Sequence, residues 1–310
     1  MTMLKSRPPH GRSMLRQVMR CKYLYIMILL PLIYLLVFKY FPMYGMQIAF
    51  RNFRVRKGIW GSDWVGLKHF AVYMSDPYFW TIAKNTMVLG ICQVVFCFPV
   101  PIVFALMVNE LKNKRSQMLV QNISYLPHFI SVVVIASMAT SFLARDGLIN
   151  RLIVMLGGTA YPYMQDPRWF RTVYILTDIW QSMGWNAIIY SAALTNVSME
   201  LYEAAVIDGA NRWQQTLNVT LPAILPTISI LFIMRMGGIL NLSFEKTLLF
   251  QNALTYDVSD IISTYVYRKG LSGSQYSYAS AVDMFSTVIN LVFLLCTNWL
   301  CRKMSETSLW

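Results

Sequence analysis

The sequence predicts an all-α membrane protein, with six transmembrane helices and a short helical hairpin on one membrane face. Three observations carry this reading. Hydrophobic residues fill 56% of the 310 positions and charged residues only 13%, a balance too apolar for a soluble domain of this size. The apolar residues gather into runs at about 23–41, 86–108, 123–143, 173–194, 222–240 and 279–300, and each is long enough to cross a hydrocarbon core of about 30 Å. Finally, the stretch 198–220 between the fourth and fifth runs is polar but helix-prone. Lys and Arg outnumber Asp and Glu by 27 to 14. In a multi-span chain such an excess reflects loops that face headgroups and fix orientation. Nucleic-acid binding would need a basic face on a soluble module, and none is present.

Taken in order, residues 1–22 hold Lys5, Arg7, Arg12, Arg16, Arg20 and Lys22 without an acid, and read as a cytoplasmic tail. The run that follows is too long for a signal-peptide core and lacks a small-residue cleavage site, so no cleavable signal is expected. Pro31 is expected to kink the first span. The connection 42–81 carries Trp60, Trp64, Tyr78, Phe79 and Trp80, suited to an interfacial belt, beside Arg51, Arg54, Arg56, Lys57 and Lys68. Those cations leave the basic residues almost evenly split between the two sides. Orientation then rests on density: the inner segments are shorter and the first tail is purely basic, which puts the N-terminus inside.

Pro99 and Pro101 mark a bend in the second span, and Lys112, Lys114 and Arg115 follow its inner end. Ser131, Ser137, Thr140 and Ser141 give the third span a polar stripe. The outer connection 144–172 contains Gly157-Gly158 and two prolines, hence turns. Asp178, Gln181, Asn186 and Tyr190 sit in the fourth span. An outer loop at 241–278 separates the fifth and sixth spans, and Arg302 and Lys303 hold the tail 302–310 inside. The transmembrane domain is thus 23–301, with both termini cytoplasmic. The five cysteines, Cys21, Cys92, Cys97, Cys296 and Cys301, lie in or beside apolar runs and imply no disulfide framework.

Within 198–220, Ser198 is placed to cap a short helix whose first turns carry Glu200 and Glu203, which suit the positive end of the helix dipole. Ala204 and Ala205 leave that helix almost without bulk, so another backbone can approach. Gly209 permits a turn, Asn211 to Leu217 form a second short helix, and Pro222 stands in the first turn of a long apolar helix. The order Glu203-Ala204-Ala205, three residues, Gly209, nine residues, Val219, one residue, Leu221-Pro222 resembles the signature loop of binding-protein-dependent ABC importer permeases. Val219 stands where Ile is more usual.

Further strings, Tyr125 to Ser131, Gly237 to Asn241, Phe244-Glu245-Lys246, Ile262 to Arg268 and the ending Thr307 to Trp310, are similar to the carbohydrate-uptake branch. Within it they look like oligosaccharide permeases related to the maltose importer, of the LplB or aldouronate type. The resemblance covers nearly the whole chain from Leu24. It implies the type I importer permease fold, in a bacterial cell membrane, with Glu203, Ala204, Ala205, Asp208, Gly209 and Arg212 in a coupling hairpin gripped by an ATP-binding subunit. It also implies a second, homologous permease forming a heterodimer, two ATP-binding subunits and an extracytoplasmic solute-binding protein.

The chain has no Gly-x-x-x-x-Gly-Lys-Ser/Thr phosphate loop, so ATP and Mg would be bound by the partner ATPase and no cofactor by this chain. Arg235, near the middle of the fifth span, is the sharpest substrate clue, because an intramembrane guanidinium needs a polar cavity or a partner. It suits a sugar hydroxyl or a uronate carboxylate; the alternative is an internal pair with Asp178 or Glu245. Asn241, Asn186, Tyr190, Ser182 and Ser131 are further substrate-path candidates, and Trp185 is a candidate for stacking. Each also has a packing explanation. Two other classes are weighed. An enzyme acting on lipid-linked sugar finds only scattered histidines, His10, His69 and His128, with no metal spacing. An ion-coupled carrier would call for midplane carboxylates and an inverted repeat, and Asp178 alone is thin support.

Overall fold

The computed structural model describes residues 22–305. The readings that fall on 1–21 and 306–310, among them the basic tail, His10 and the Thr307 to Trp310 ending, lie outside the described residues.

Among the described residues five helical stretches are long and apolar enough to cross a membrane: Lys22–Phe50, Phe79–Asn109, Val132–Met155, Arg212–Met236 and Tyr276–Lys303. A further helix, Pro167–Leu194, has 28 residues but is more polar, since Asp178, Gln181, Ser182 and Asn186 fall along it. It packs against Pro99–Asn109 and against the Leu221–Met236 part of Arg212–Met236, which in turn packs on the last helix. Ala105, Ala187, Tyr190, Leu194 and Ile224 close that junction. The N-terminal helix stands apart, with every residue exposed from Lys22 to Tyr44, and meets the last helix through Tyr44–Phe50.

Three of these helices widen into a π turn just before a proline. Leu36–Tyr40 precedes Pro42, Gln93–Cys97 precedes Pro99, and Thr216–Thr220 precedes Pro222. Proline lacks an N–H and its ring crowds the carbonyl four residues back. Widening the preceding turn moves that carbonyl away, so the helix continues where an α register would be broken.

This corrects the expectation of a separate short helix at Asn211 to Leu217: a single helical stretch, Arg212–Met236, runs through Pro222. The third run also differs: it is broken at Leu126–Phe129, where Pro127 forces a 3-10 turn between the helices Lys114–Tyr125 and Val132–Leu143, and after a short turn that ends at Gly147 the stretch goes on beyond the run as Leu148–Met155.

The connections expected as loops are folded. Arg51–Arg54 and Gly58–Trp64 form an antiparallel hairpin, in which the Arg51 guanidinium lies over the rings of Trp60 and Trp64. The stretch after Asn241 holds Phe244–Phe250, Tyr256–Ser259 and Ile262–Val266. It is clipped to the second helix because Asn85 donates to the Asp257 and Asp260 carbonyls and Thr86 Oγ1 accepts from Ile262 N–H. Beside it, Tyr265 donates to Asp76 at 2.8 Å. Burial raises the Asp76 pKa, but the Tyr78 N–H, the Tyr265 hydroxyl and nearby Lys269 outweigh it and hold the carboxyl below its ordinary value.

Candidate functional site

The 198–220 hairpin is specified by its own backbone. Ser198 Oγ accepts from Glu200 N–H at 3.3 Å and opens the helix Met199–Ile207. Its end is a glycine stop: Ala210 N–H reaches the Ala205 carbonyl at 2.9 Å, Gly209 N–H reaches Val206 at 3.0 Å, and Gly209 sits at φ +75°. Any side chain at Gly209 would be strained in that left-handed conformation. Asn211 then opens the next helix in a capping box with Gln214. Tyr202 and Thr220 hydroxyls meet at 2.8 Å and tie the two arms together.

What the hairpin presents is exposed: Glu203, Ala204, Asp208, Gly209 and Arg212 face outward, while Ala205 is half-buried. Around them Val206, Ile207 and Trp213 are 62%, 85% and 70% exposed, an apolar knob ringed by charge. Arg212 approaches Glu110 at 3.8 Å, linking the hairpin to the end of the second helix.

A second constellation lies deeper. A cavity of about 580 Å³ is lined by Gln93, Asp178, Ser182, Asn186, Tyr190, Arg235 and Asn241, among others. Five of the six residues singled out for a substrate path therefore share one cavity. Ser131 does not join them; it is exposed and caps Val132–Leu143 by accepting from Val134 N–H. Trp185 does not line this cavity either; it is 42% exposed, with His128 stacked on its ring at 4.3 Å and 3°.

Several lining residues have a structural bond as well. Ser182 donates to the Asp178 carbonyl at 2.6 Å. Asn241 accepts from Asn290 at 2.9 Å, which fixes the turn after Met236 to the last helix. Tyr190 is 3% exposed, so it packs as much as it lines.

The charges around the cavity are wired in a chain. Lys246, only 2% exposed, donates to Asp178 Oδ1 at 3.2 Å and to the Tyr174 carbonyl at 3.0 Å. Gln93 Nε2 donates to Asp178 Oδ2 at 3.1 Å, and Gln93 Oε1 accepts from Arg235 Nη2. The expected alternative for Arg235, a direct pair with Asp178 or Glu245, does not form among the described residues. Asp178 is engaged by Lys246 instead, and Glu245 is exposed.

Gln93 and Lys246 are functional candidates that sequence reasoning missed. A lone glutamine in the apolar run 86–108 was the available signal for the first. The second stood in the Phe244-Glu245-Lys246 string already noted for its resemblance, but its role was not legible because the stretch holding it read as a loop. Among the described residues no group of His, Cys, Asp and Glu could hold a metal ion.

A helical membrane fold, an exposed glycine-stopped hairpin and a polar cavity among the helices fit a transport subunit. The chain belongs to the family described as binding-protein-dependent transport system inner membrane component, whose model matches residues 84–306, the hairpin and all the cavity lining included. It has the type I ABC permease fold and is a transport component, not an enzyme.

Over 300 residues it is 43% identical to the polygalacturonan/rhamnogalacturonan transport system permease protein YteP of Bacillus subtilis (strain 168), covering 96% of this chain and 94% of that one. Protein LplB of the same organism is 38% identical over 300 residues, with the same coverage. Among solved structures it is similar to a chain of a bacterial alginate ABC transporter in complex with alginate pentasaccharide-bound periplasmic protein. There the TM-score is 0.87 at 38% identity, over 96% of this chain and 99% of that one. The resemblance to LplB-type permeases inferred from the sequence is borne out.

Proposed function

We propose that this chain forms half of the translocation path of an ATP-driven importer of acidic oligosaccharides in a bacterial cell membrane. The observation that carries this is the cavity: polar groups from separate helices converge there, and Arg235 brings a positive charge that no ion pair among the described residues cancels. Saccharide hydroxyls suit Asn186, Ser182 and Asn241, and a uronate carboxylate suits a guanidinium, which offers paired donors in a fixed plane. The substrates printed in the names of YteP and the alginate transporter, polygalacturonan and alginate, are consistent with it.

In this reading Pro167–Leu194 is a sixth crossing, tolerated in the bilayer because its polar face lines the cavity. Both termini and the 198–220 hairpin are cytoplasmic. Glu203, Ala204, Ala205, Asp208, Gly209 and Arg212 seat in an ATP-binding subunit, the source of ATP and Mg chemistry. Closure of two such subunits moves the hairpin as a rigid body and alternates the opening of a path shared with a second, homologous permease. An extracytoplasmic solute-binding protein delivers the saccharide.

The test is reconstitution with those partners and measurement of saccharide-stimulated ATP hydrolysis and uptake. Glu203→Ala is expected to abolish stimulation with the spans intact. Arg235→Ala should preserve assembly and lower uptake of a galacturonate trisaccharide by roughly tenfold or more. Unchanged hydrolysis in the first variant removes the hairpin from coupling, and unchanged uptake in the second removes Arg235 from the path.

A further inference from the structure

One cation and one anion, Arg235 and Asp178, line the cavity, a second cation, Lys246, is buried behind it, and the three are not bonded as charge alone would dictate. Arg235 and Asp178 line the same space, yet the guanidinium forms no ion pair with that carboxylate. One Asp178 oxygen takes the Lys246 ammonium and the other takes the amide nitrogen of Gln93, whose amide oxygen accepts from Arg235. A primary amide offers donors at one end and an acceptor at the other. Placed between a carboxylate and a guanidinium, it satisfies both and adds no charge.

The result is a partition. Lys246 and Asp178 form a closed, internally neutral pair, with the ammonium at 2% exposure. Arg235 is half-buried on the cavity wall with its charge uncancelled. A carboxylate at position 93 would instead give two pairs and a cavity of no net charge.

The backbone fixes Gln93 in this role. It opens the π turn Gln93–Cys97, which alters the register in which the following side chains emerge. One turn earlier, a Cβ at Gly90 would collide with the Ile239 carbonyl. That close approach brings the second helix against the end of Arg212–Met236, so the amide meets the guanidinium. Gln93 is itself only 6% exposed, which leaves it little room to turn elsewhere.

The geometry assigns to Gln93 the part of a specificity-determining positioning residue: by standing between Asp178 and Arg235 it keeps the Arg235 charge available, and the cavity thereby selects saccharides bearing carboxylates over neutral ones of the same shape. The assignment rests on the cavity being the path of an acidic saccharide.

The experiment compares uptake of a galacturonate trisaccharide with that of its methyl ester by the full reconstituted complex, using one solute-binding protein throughout. Any preference of the binding protein is common to all variants and cancels in the ratio. Gln93→Glu is expected to lower the acid-to-ester ratio by roughly tenfold to a hundredfold relative to wild type, because a new carboxylate competes for Arg235. Gln93→Met, of similar size and uncharged, should keep most of the preference while losing some rate.

A ratio within twofold of wild type in Gln93→Glu overturns the assignment, provided that Arg235→Ala still lowers uptake. An equal loss of preference in Gln93→Met also overturns it, by reducing Gln93 to a packing residue. If Arg235→Ala changes nothing, or the wild-type complex moves neither saccharide, the underlying reading of the cavity falls and this assignment falls with it.

Discussion

The hairpin and the cavity are built on opposite principles. In the hairpin the helix ends are set locally: the Ser198 cap, the Gly209 stop and the Asn211–Gln214 box join residues at most five apart, and even the Tyr202–Thr220 tie between the arms stays within the hairpin. In the cavity the decisive bonds are long-range, Gln93 to Asp178 across 85 positions and Arg235 to Gln93 across 142. The hairpin keeps its shape while its side chains remain free for a partner. The cavity's side chains are what hold it together, so a change made there to alter selectivity also acts on stability.

Mutations sharpen this contrast, and the largest effect belongs to the buried pair. Lys246→Ala leaves the Asp178 carboxylate without its ammonium, and Asp178→Ala leaves a buried ammonium alone; either is expected to cost about 3–5 kcal/mol. Thermal unfolding in detergent measures it, and a melting temperature equal to wild type would show that the pair does not hold the cavity. In the hairpin Gly209→Val forces a β-branched residue to positive φ and should cost about 1–2 kcal/mol. The same scan reads it, but the larger loss is expected in stimulated ATP hydrolysis. Ile207→Ser removes an apolar group that is already 85% exposed, so stability should stay within about 0.5 kcal/mol. Its effect should appear only as weaker retention of the ATPase subunit during purification. A destabilised Ile207→Ser protein would mean that the knob packs within this chain and is not a partner surface.

The same contrast explains what could be read from the chain. Caps, a glycine stop and a spaced Glu-Ala-Ala are written in consecutive residues, so the Met199–Ile207 helix and the turn at Gly209 were legible. Helix content was legible from apolar runs alone. Arg235 and Asp178 stood out because a charge in an apolar run is costly, but the amide standing between them did not. The glutamine that separates them is unremarkable in isolation, and Lys246 reaches Asp178 only because Phe244–Phe250 folds back onto Pro167–Leu194. Tyr190 illustrates the limit from the other side: its place on the cavity wall was anticipated, while its 3% exposure shows a packing duty that no sequence pattern announced. The run through Pro222 escaped notice because proline ordinarily marks a helix start, and the wide turn that accommodates it leaves no sequence signature.

Those wide turns have a mechanical consequence. A rod whose hydrogen-bond ladder is uniform resists bending along its whole length, whereas one with a single loosened rung ahead of a proline concentrates bending there. The joint at Thr216–Thr220 lies between the exposed tip of the hairpin and the segment that carries Arg235, and the joint at Gln93–Cys97 begins at the amide that holds Arg235 in place. Any tilt imparted at one end of these rods is therefore taken up at fixed elbows, and the second elbow is also where the guanidinium is gripped.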